Sequence, residues 1–120
     1  MPPQPNVFAK QCPSREIISR VSSKWAMLIL SLLNDSPKGF NEIKKVIEGI
    51  SQKVLTENLR SLERDGLITR KICQTRPIRV EYKTTYIAKD LLMIIESLKK
   101  WSERSIKIIV KNNKLFDMRK

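Results

Sequence analysis

At Gly66 the apolar residues of this chain stop recurring at helical spacing and begin to gather in β-branched and aromatic runs. Upstream, over residues 51–65, Leu55, Leu59 and Leu62 form one stripe, while Lys53, Thr56, Glu57, Arg60 and Arg64 project on the opposite side at 100° per residue. Downstream, residues 67–74 and 78–85 read as two strands, separated by Thr75, Arg76 and Pro77, so they form a hairpin with a short basic tip. A helix that runs straight into a hairpin is a narrow constraint on what the remainder can be.

The flanking segments fill in a mostly helical domain. Pro13 suits the first position of a helix, with Cys12 as its N-cap and Ile17, Ile18 and Val21 on one face. Residues 24–34 (KWAMLILSLLN) are apolar enough for a core helix buried on most sides, ended by Asp35, Ser36, Pro37, Lys38 and Gly39. Phe40, Ile43, Val46 and Ile47 give a short helix over 40–48 that Gly49 stops, and Ser51 caps the next. After the hairpin, Thr85 is expected to cap a long helix whose stripe is Ile87, Leu91, Ile94, Leu98, Trp101 and Ser105. Residues 1–11, with Pro2, Pro3 and Pro5, read as a mobile arm, residues 12–112 as the single domain, and residues 113–120 as a frayed tail.

The fold class that follows is α+β, mainly α with a β-hairpin wing: a winged helix-turn-helix. Residues 40–48 and 51–65, joined at a glycine-containing turn, have the lengths of a helix-turn-helix whose second helix enters a major groove about 12 Å wide. The side chains at the start of that second helix, Ser51, Gln52, Lys53 and Thr56, can reach base edges or phosphates, and Arg60 lies further along toward the backbone. Taken alone, this face reads more readily as a solvated helix surface. The wing shifts the balance, because Arg70, Lys71, Arg76 and Arg79 fall in a stretch without a single acid.

Composition agrees and excludes alternatives. With 24 Lys and Arg against 12 Asp and Glu, the net charge is +12, which favours a polyanionic partner, although the charge is spread along the chain rather than focused. There is no histidine, no glycine-rich phosphate loop and no nucleophile elbow, so a catalytic reading has no support. Two cysteines without histidine make neither a secreted disulfide framework nor an ordinary zinc site, and no metal or other cofactor is expected. With no apolar run of membrane-spanning length and no signal-like start, the expectation is a cytoplasmic protein without membrane attachment. A monomer of this size cannot easily bury Trp101, Ile106, Ile108 and Ile109 as well as its core, so the last helix is expected to dimerise through Leu91, Ile94, Leu98 and Trp101.

Several blocks together resemble the HxlR family of winged-helix regulators: Cys12-Pro13, Lys24-Trp25, Gly39-Phe40-Asn41-Glu42-Ile43, Gly49-Ile50-Ser51-Gln52-Lys53-Val54-Leu55-Thr56, Leu62-Glu63-Arg64-Asp65-Gly66-Leu67-Ile68 and Arg79-Val80-Glu81-Tyr82. The chain departs from the family's usual Y-x-L-T-E-x-G after the wing, reading Tyr82-Lys83-Thr84-Thr85-Tyr86-Ile87-Ala88. What the resemblance implies is a transcriptional regulator that binds inverted repeats in double-stranded DNA as a homodimer, through its first and last helices. On that reading Gln52, Lys53 and Thr56 read bases, and Asn41, Ser51, Arg60, Arg76 and Arg79 anchor phosphates. A winged-helix protein-interaction module is the alternative, and no effector is specified.

The resemblance also implies that the cysteine at position 12 can sense oxidants or electrophiles. A helix N-terminus lowers a thiol pKa, and Lys10 and Arg15 flank the residue. A small buried residue without chemistry is the equal alternative for Cys12, and Cys73 reads as packing.

Overall fold

The computed structural model describes residues 5–119. The elements are α1 (Pro13–Val21), α2 (Lys24–Asp35), β1 (Lys38–Gly39), α3 (Phe40–Val46), α4 (Gln52–Arg64), β2 (Ile68–Cys73), β3 (Arg79–Thr84), a single 3-10 turn (Tyr86–Ala88) and α5 (Lys89–Asp117). This is a winged helix-turn-helix with a long C-terminal helix.

Short-range chemistry sets the helix ends. Ser23 caps α2 by accepting from the Ala26 amide at 3.3 Å, and Ser51 caps α4 by accepting from the Val54 amide at 3.1 Å. The far end of α4 closes with two reciprocal main-chain bonds, Leu67 N–H to Leu62 O at 2.9 Å and Gly66 N–H to Glu63 O at 3.0 Å. That closure needs a left-handed residue, and Gly66 supplies it at φ +78°. Leu62 and Leu67, the apolar pair that accompanies such a closure, are both buried. Gly49, at φ +87°, makes the turn between α3 and α4 in the same way.

The core is one cluster. Ile29, Leu30 and Leu33 of α2, Ile43 of α3, Leu55, Leu59 and Leu62 of α4, Ile68 of β2, and Leu92 and Ile95 of α5 are its main members. Helix α5 is tied to α2 at its flank, where Ser31 Oγ donates to Glu96 at 3.1 Å and receives a bond from Lys99 Nζ at 2.8 Å.

The sheet is antiparallel and ordered β1-β3-β2. Strands β2 and β3 pair from Ile68 opposite Thr84 to Cys73 opposite Arg79, leaving residues 74–78 as the wing tip. The two-residue β1 was hidden in what the sequence offered as a helix-ending cluster; Lys38 pairs with Tyr82 and Gly39 with Glu81. Two residues carry too little periodicity to register as a strand, and only the partner edge reveals them.

Four expectations change. Residues 6–12 are not a free arm: Ala9 N–H bonds to Asn6 O at 2.9 Å and Cys12 N–H to Ala9 O at 3.2 Å, folding the segment into turns before α1. Residues 1–4, the start of that arm, lie outside the described residues. The tail does not fray after Asn112, since α5 continues to Asp117; two asparagines cost a helix only tenths of a kcal/mol each, and Lys114 in the last turn complements the helix dipole. Thr85 does not cap the long helix. Its hydroxyl donates instead to Gly66 O at 2.6 Å, and α5 begins at Lys89 after the 3-10 turn. Finally, α3 stops at Val46 rather than at residue 48.

Because Leu59 lies in the cluster at 2 % exposure, Leu59→Ala is expected to lower unfolding free energy by about 2–5 kcal/mol in urea titrations.

Candidate nucleic-acid interface

Helix α4 is held from one side only. Leu55, Leu59 and Leu62 are buried, while Gln52, Lys53 and Arg60 are exposed and Thr56 is partly so. Ser51 is exposed at the N-cap, and Asn41 is exposed in the first turn of α3. The structure thus brings Ser51, Gln52, Lys53, Thr56 and Arg60 onto one solvent face whose N-terminal end carries the helix's unpaired amides.

Between this face and the base of the wing lies a cleft of about 460 Å³, lined by Phe40, Gln52, Thr56, Leu59, Arg60, Glu63, Arg70 and Tyr82. Arg70 and Tyr82 are directly opposite each other in the β2–β3 register. Neither stands out in the sequence as a site residue: Arg70 is one of the wing's cations, and nothing in the sequence says that the strand turns these two side chains toward α4 rather than away from it. Their approach depends on the pairing register, which a hairpin pattern alone leaves open.

The two wing arginines differ. Arg76 is exposed at the tip, with no ion pair among the described residues. Arg79 lies at the start of β3 and is engaged twice, by Glu42 Oε1 in a short contact and by Glu81 Oε2 at 3.5 Å. Glu42 also accepts from the Gly39 amide at 3.1 Å at the head of α3. Arg79 therefore braces the wing base against α3 and is not presented as an unpaired cation, a pairing across 37 residues that charge patterning along the chain could not disclose.

Cys12 is the N-cap of α1 and is buried at 7 % exposure, with Sγ accepting from the Asn6 amide at 3.3 Å. Main-chain N–H donors, that of Arg15 first, hold its thiol below the ordinary value of 9.0, while burial works the other way. The favourable groups are amides of the helix start and the preceding turn, with the Ser14 hydroxyl adding least, rather than the charges of Lys10 and Arg15. Cys73 is opposite in character: burial first, then its bond to Glu81 at 3.5 Å, pushes its thiol up.

Along α5, Ile94, Leu98 and Trp101 are 65 %, 44 % and 50 % exposed, whereas Leu92 and Ile95 face the core and Leu91 packs partly against it. Ile17 and Ile18 of α1 are likewise half exposed. No helix among the described residues is long and apolar enough to cross a membrane, and among them no cluster of three potential metal ligands occurs.

Residues 20–109, which include all of α2 to α4, the wing and most of α5, match the family model of HxlR-like helix-turn-helix proteins. The chain belongs to the HxlR-like helix-turn-helix family. It is thus a DNA-binding transcriptional regulator of HxlR type, in a family of regulators rather than enzymes. The HTH-type transcriptional regulator YtfH of Escherichia coli is 36 % identical over 101 residues, covering 84 % of this chain and 80 % of that protein. The solved transcriptional regulator ytfH from Salmonella typhimurium superposes with a TM-score of 0.86 at 32 % identity, covering 92 % of this chain and 99 % of that one. The redox regulator HypR in its oxidised form superposes with a TM-score of 0.72 at 32 % identity, covering 78 % and 96 %.

In this HxlR-type chain the opposite environments of the two thiols have a measurable consequence. Thiolate absorbance in the single-cysteine variants should show Cys12, in Cys73→Ser, ionising below 9.0 and Cys73, in Cys12→Ser, ionising above it. At pH values between the two midpoints Cys12 is the more ionised of the two thiols, so equal or inverted midpoints would contradict the helix-start assignment.

Proposed function

We propose that two copies of this regulator bind an inverted-repeat site in double-stranded DNA, each placing α4 in a major groove with the wing along the adjoining backbone. The observation that carries this reading is the division of α4 into a buried leucine stripe and an open polar face that begins at a capped N-terminus. Gln52 has the amide geometry to bond adenine in two places, Lys53 donates to guanine acceptors, and Thr56 offers a hydroxyl and a methyl. Asn41, Ser51, Arg60 and the tip residue Arg76 anchor phosphates, and Arg70 and Tyr82 extend that set along the cleft wall. Arg79 serves the same contact indirectly, by holding the wing base in place.

The two-fold contact uses the exposed Ile94, Leu98 and Trp101 of α5, with the half-buried Leu91 at their edge, together with Ile17 and Ile18 of α1. Covering half-exposed isoleucine, leucine and tryptophan side chains with their equivalents on a second copy removes a large apolar area from water. An inverted repeat then follows from the two-fold symmetry of the dimer. The protein works in the cytoplasm, where its thiols stay reduced until challenged. Cys12 is the point of challenge: its amide-stabilised thiolate can be alkylated by an electrophile or oxidised, and the similarity to a named redox regulator supports this role.

Genomic-DNA selection with the purified protein should enrich an inverted repeat. Gln52→Ala should relax preference at one base position by about 1–3 kcal/mol, while Arg76→Ala weakens all sequences alike and reduces the salt slope by about 1. Failure to enrich any sequence, with binding insensitive to salt, would instead favour a protein-interaction module. Leu98→Asp paired with Trp101→Asp should shift the protein toward monomer in sedimentation velocity and weaken binding to the full repeat far more than to a half-site.

A further inference from the structure

Arg20 stands in the last turn of α1 and reaches across 45 residues to Asp65. Its Nε lies 2.8 Å from one carboxylate oxygen and its Nη2 3.1 Å from the other. This two-point geometry fixes orientation as well as distance, which a lysine at the same position could not do. The side chains are 33 % and 16 % exposed, so the pair is partly shielded from solvent.

Asp65 is the C-cap of α4. A carboxylate there faces the partial negative charge of the last carbonyls, the unfavourable end of the helix dipole. Arg20 offsets that repulsion, and Arg20 in turn is a cation at the C-terminal end of α1, the favourable end for it. The pair therefore joins the C-terminal ends of two helices that would otherwise meet through like partial charges.

The two helices have different duties on the reading given above, which this inference adopts. Helix α1 bears Ile17 and Ile18 toward the second copy, and α4 carries the base-reading face. One route from the two-fold axis to the reading helix thus passes from α1 through Arg20 and Asp65 to the far end of α4, beside the one that runs from α5 through α2 in the core. Without it, α4 keeps its leucine stripe and the closure at Gly66 and Leu67, but its C-terminal end loses its polar strut to α1.

We infer that the Arg20–Asp65 ion pair fixes the separation and angle of the two recognition helices in the dimer, making Arg20 a positioning residue for half-site spacing. DNA measures such a constraint finely. Adding one base pair between half-sites moves them apart by about 3.4 Å and turns one relative to the other by about 35°. A rigid pair of reading helices rejects that change, and a loosened pair accepts it.

The test takes the repeat selected by the wild-type protein and varies its central spacer by one base pair in each direction, with an isolated half-site as reference. The wild type is expected to prefer the native spacer about tenfold or more over either neighbour. Arg20→Gln and Asp65→Asn should each cut that preference by about threefold or more while leaving half-site affinity within about twofold and the dimer intact by sedimentation. Arg20→Lys keeps the charge but loses the two-point geometry, and it should show the same flattening if Arg20→Gln does not fold. An unchanged spacer preference in the folded variants would overturn the inference, as would an equal loss on every spacer and on the half-site. If the wild type selects no inverted repeat, the dimeric-operator reading itself fails, an outcome separate from a repeat whose spacer preference ignores Arg20.

Discussion

The outward face of the helix-turn-helix depends on the seating of one helix along three leucines. Leu55, Leu59 and Leu62 are spaced so that a single stripe of α4 enters the cluster formed with α2, α3 and β2. Burial of such side chains contributes about 1.5–3 kcal/mol each, enough to hold a helix too short and too polar to persist alone. The opposite face is then free to be chosen for chemistry rather than for packing, which explains how glutamine, lysine, threonine and arginine can share it without any cost to the core.

The same division explains what could be read in advance. Leu55, Leu59 and Leu62, the glycine at 66 and the β-branched runs after it are local patterns, and local patterns report elements faithfully. The wing, the capped helix and the core stripe were all legible for that reason. What was not legible depends on pairing between distant segments. β1 exists only because β3 offers it an edge, Arg79 is engaged only because Glu42 stands across from it, and Tyr82 joins the cleft only because of the strand register. The Thr85 hydroxyl likewise finds Gly66 O, 19 residues away, in preference to the helix amides beside it.

Helix α5 shows how a stripe can be right as a pattern and incomplete as a statement of burial. The apolar residues do recur at helical spacing, but they occupy two adjacent rows: Leu92 and Ile95 close the core, and Ile94, Leu98 and Trp101 face outward. Periodicity detects both rows together and cannot assign either to its own chain or to another. The 29-residue length gives a rod of about 43 Å, longer than the small body it packs on can cover.

Gly39 ends β1 and is also the N-cap of α3, so the outer strand of the sheet and the first helix of the helix-turn-helix share a residue. Glu42 fastens that junction twice, to the Gly39 amide and to Arg79 at the root of the wing. No slack separates hairpin from helix. A tilt imposed on the wing must therefore turn α3 with it, as a rocker turns about its pin, and on the docking proposed above the two arms meet the DNA surface together.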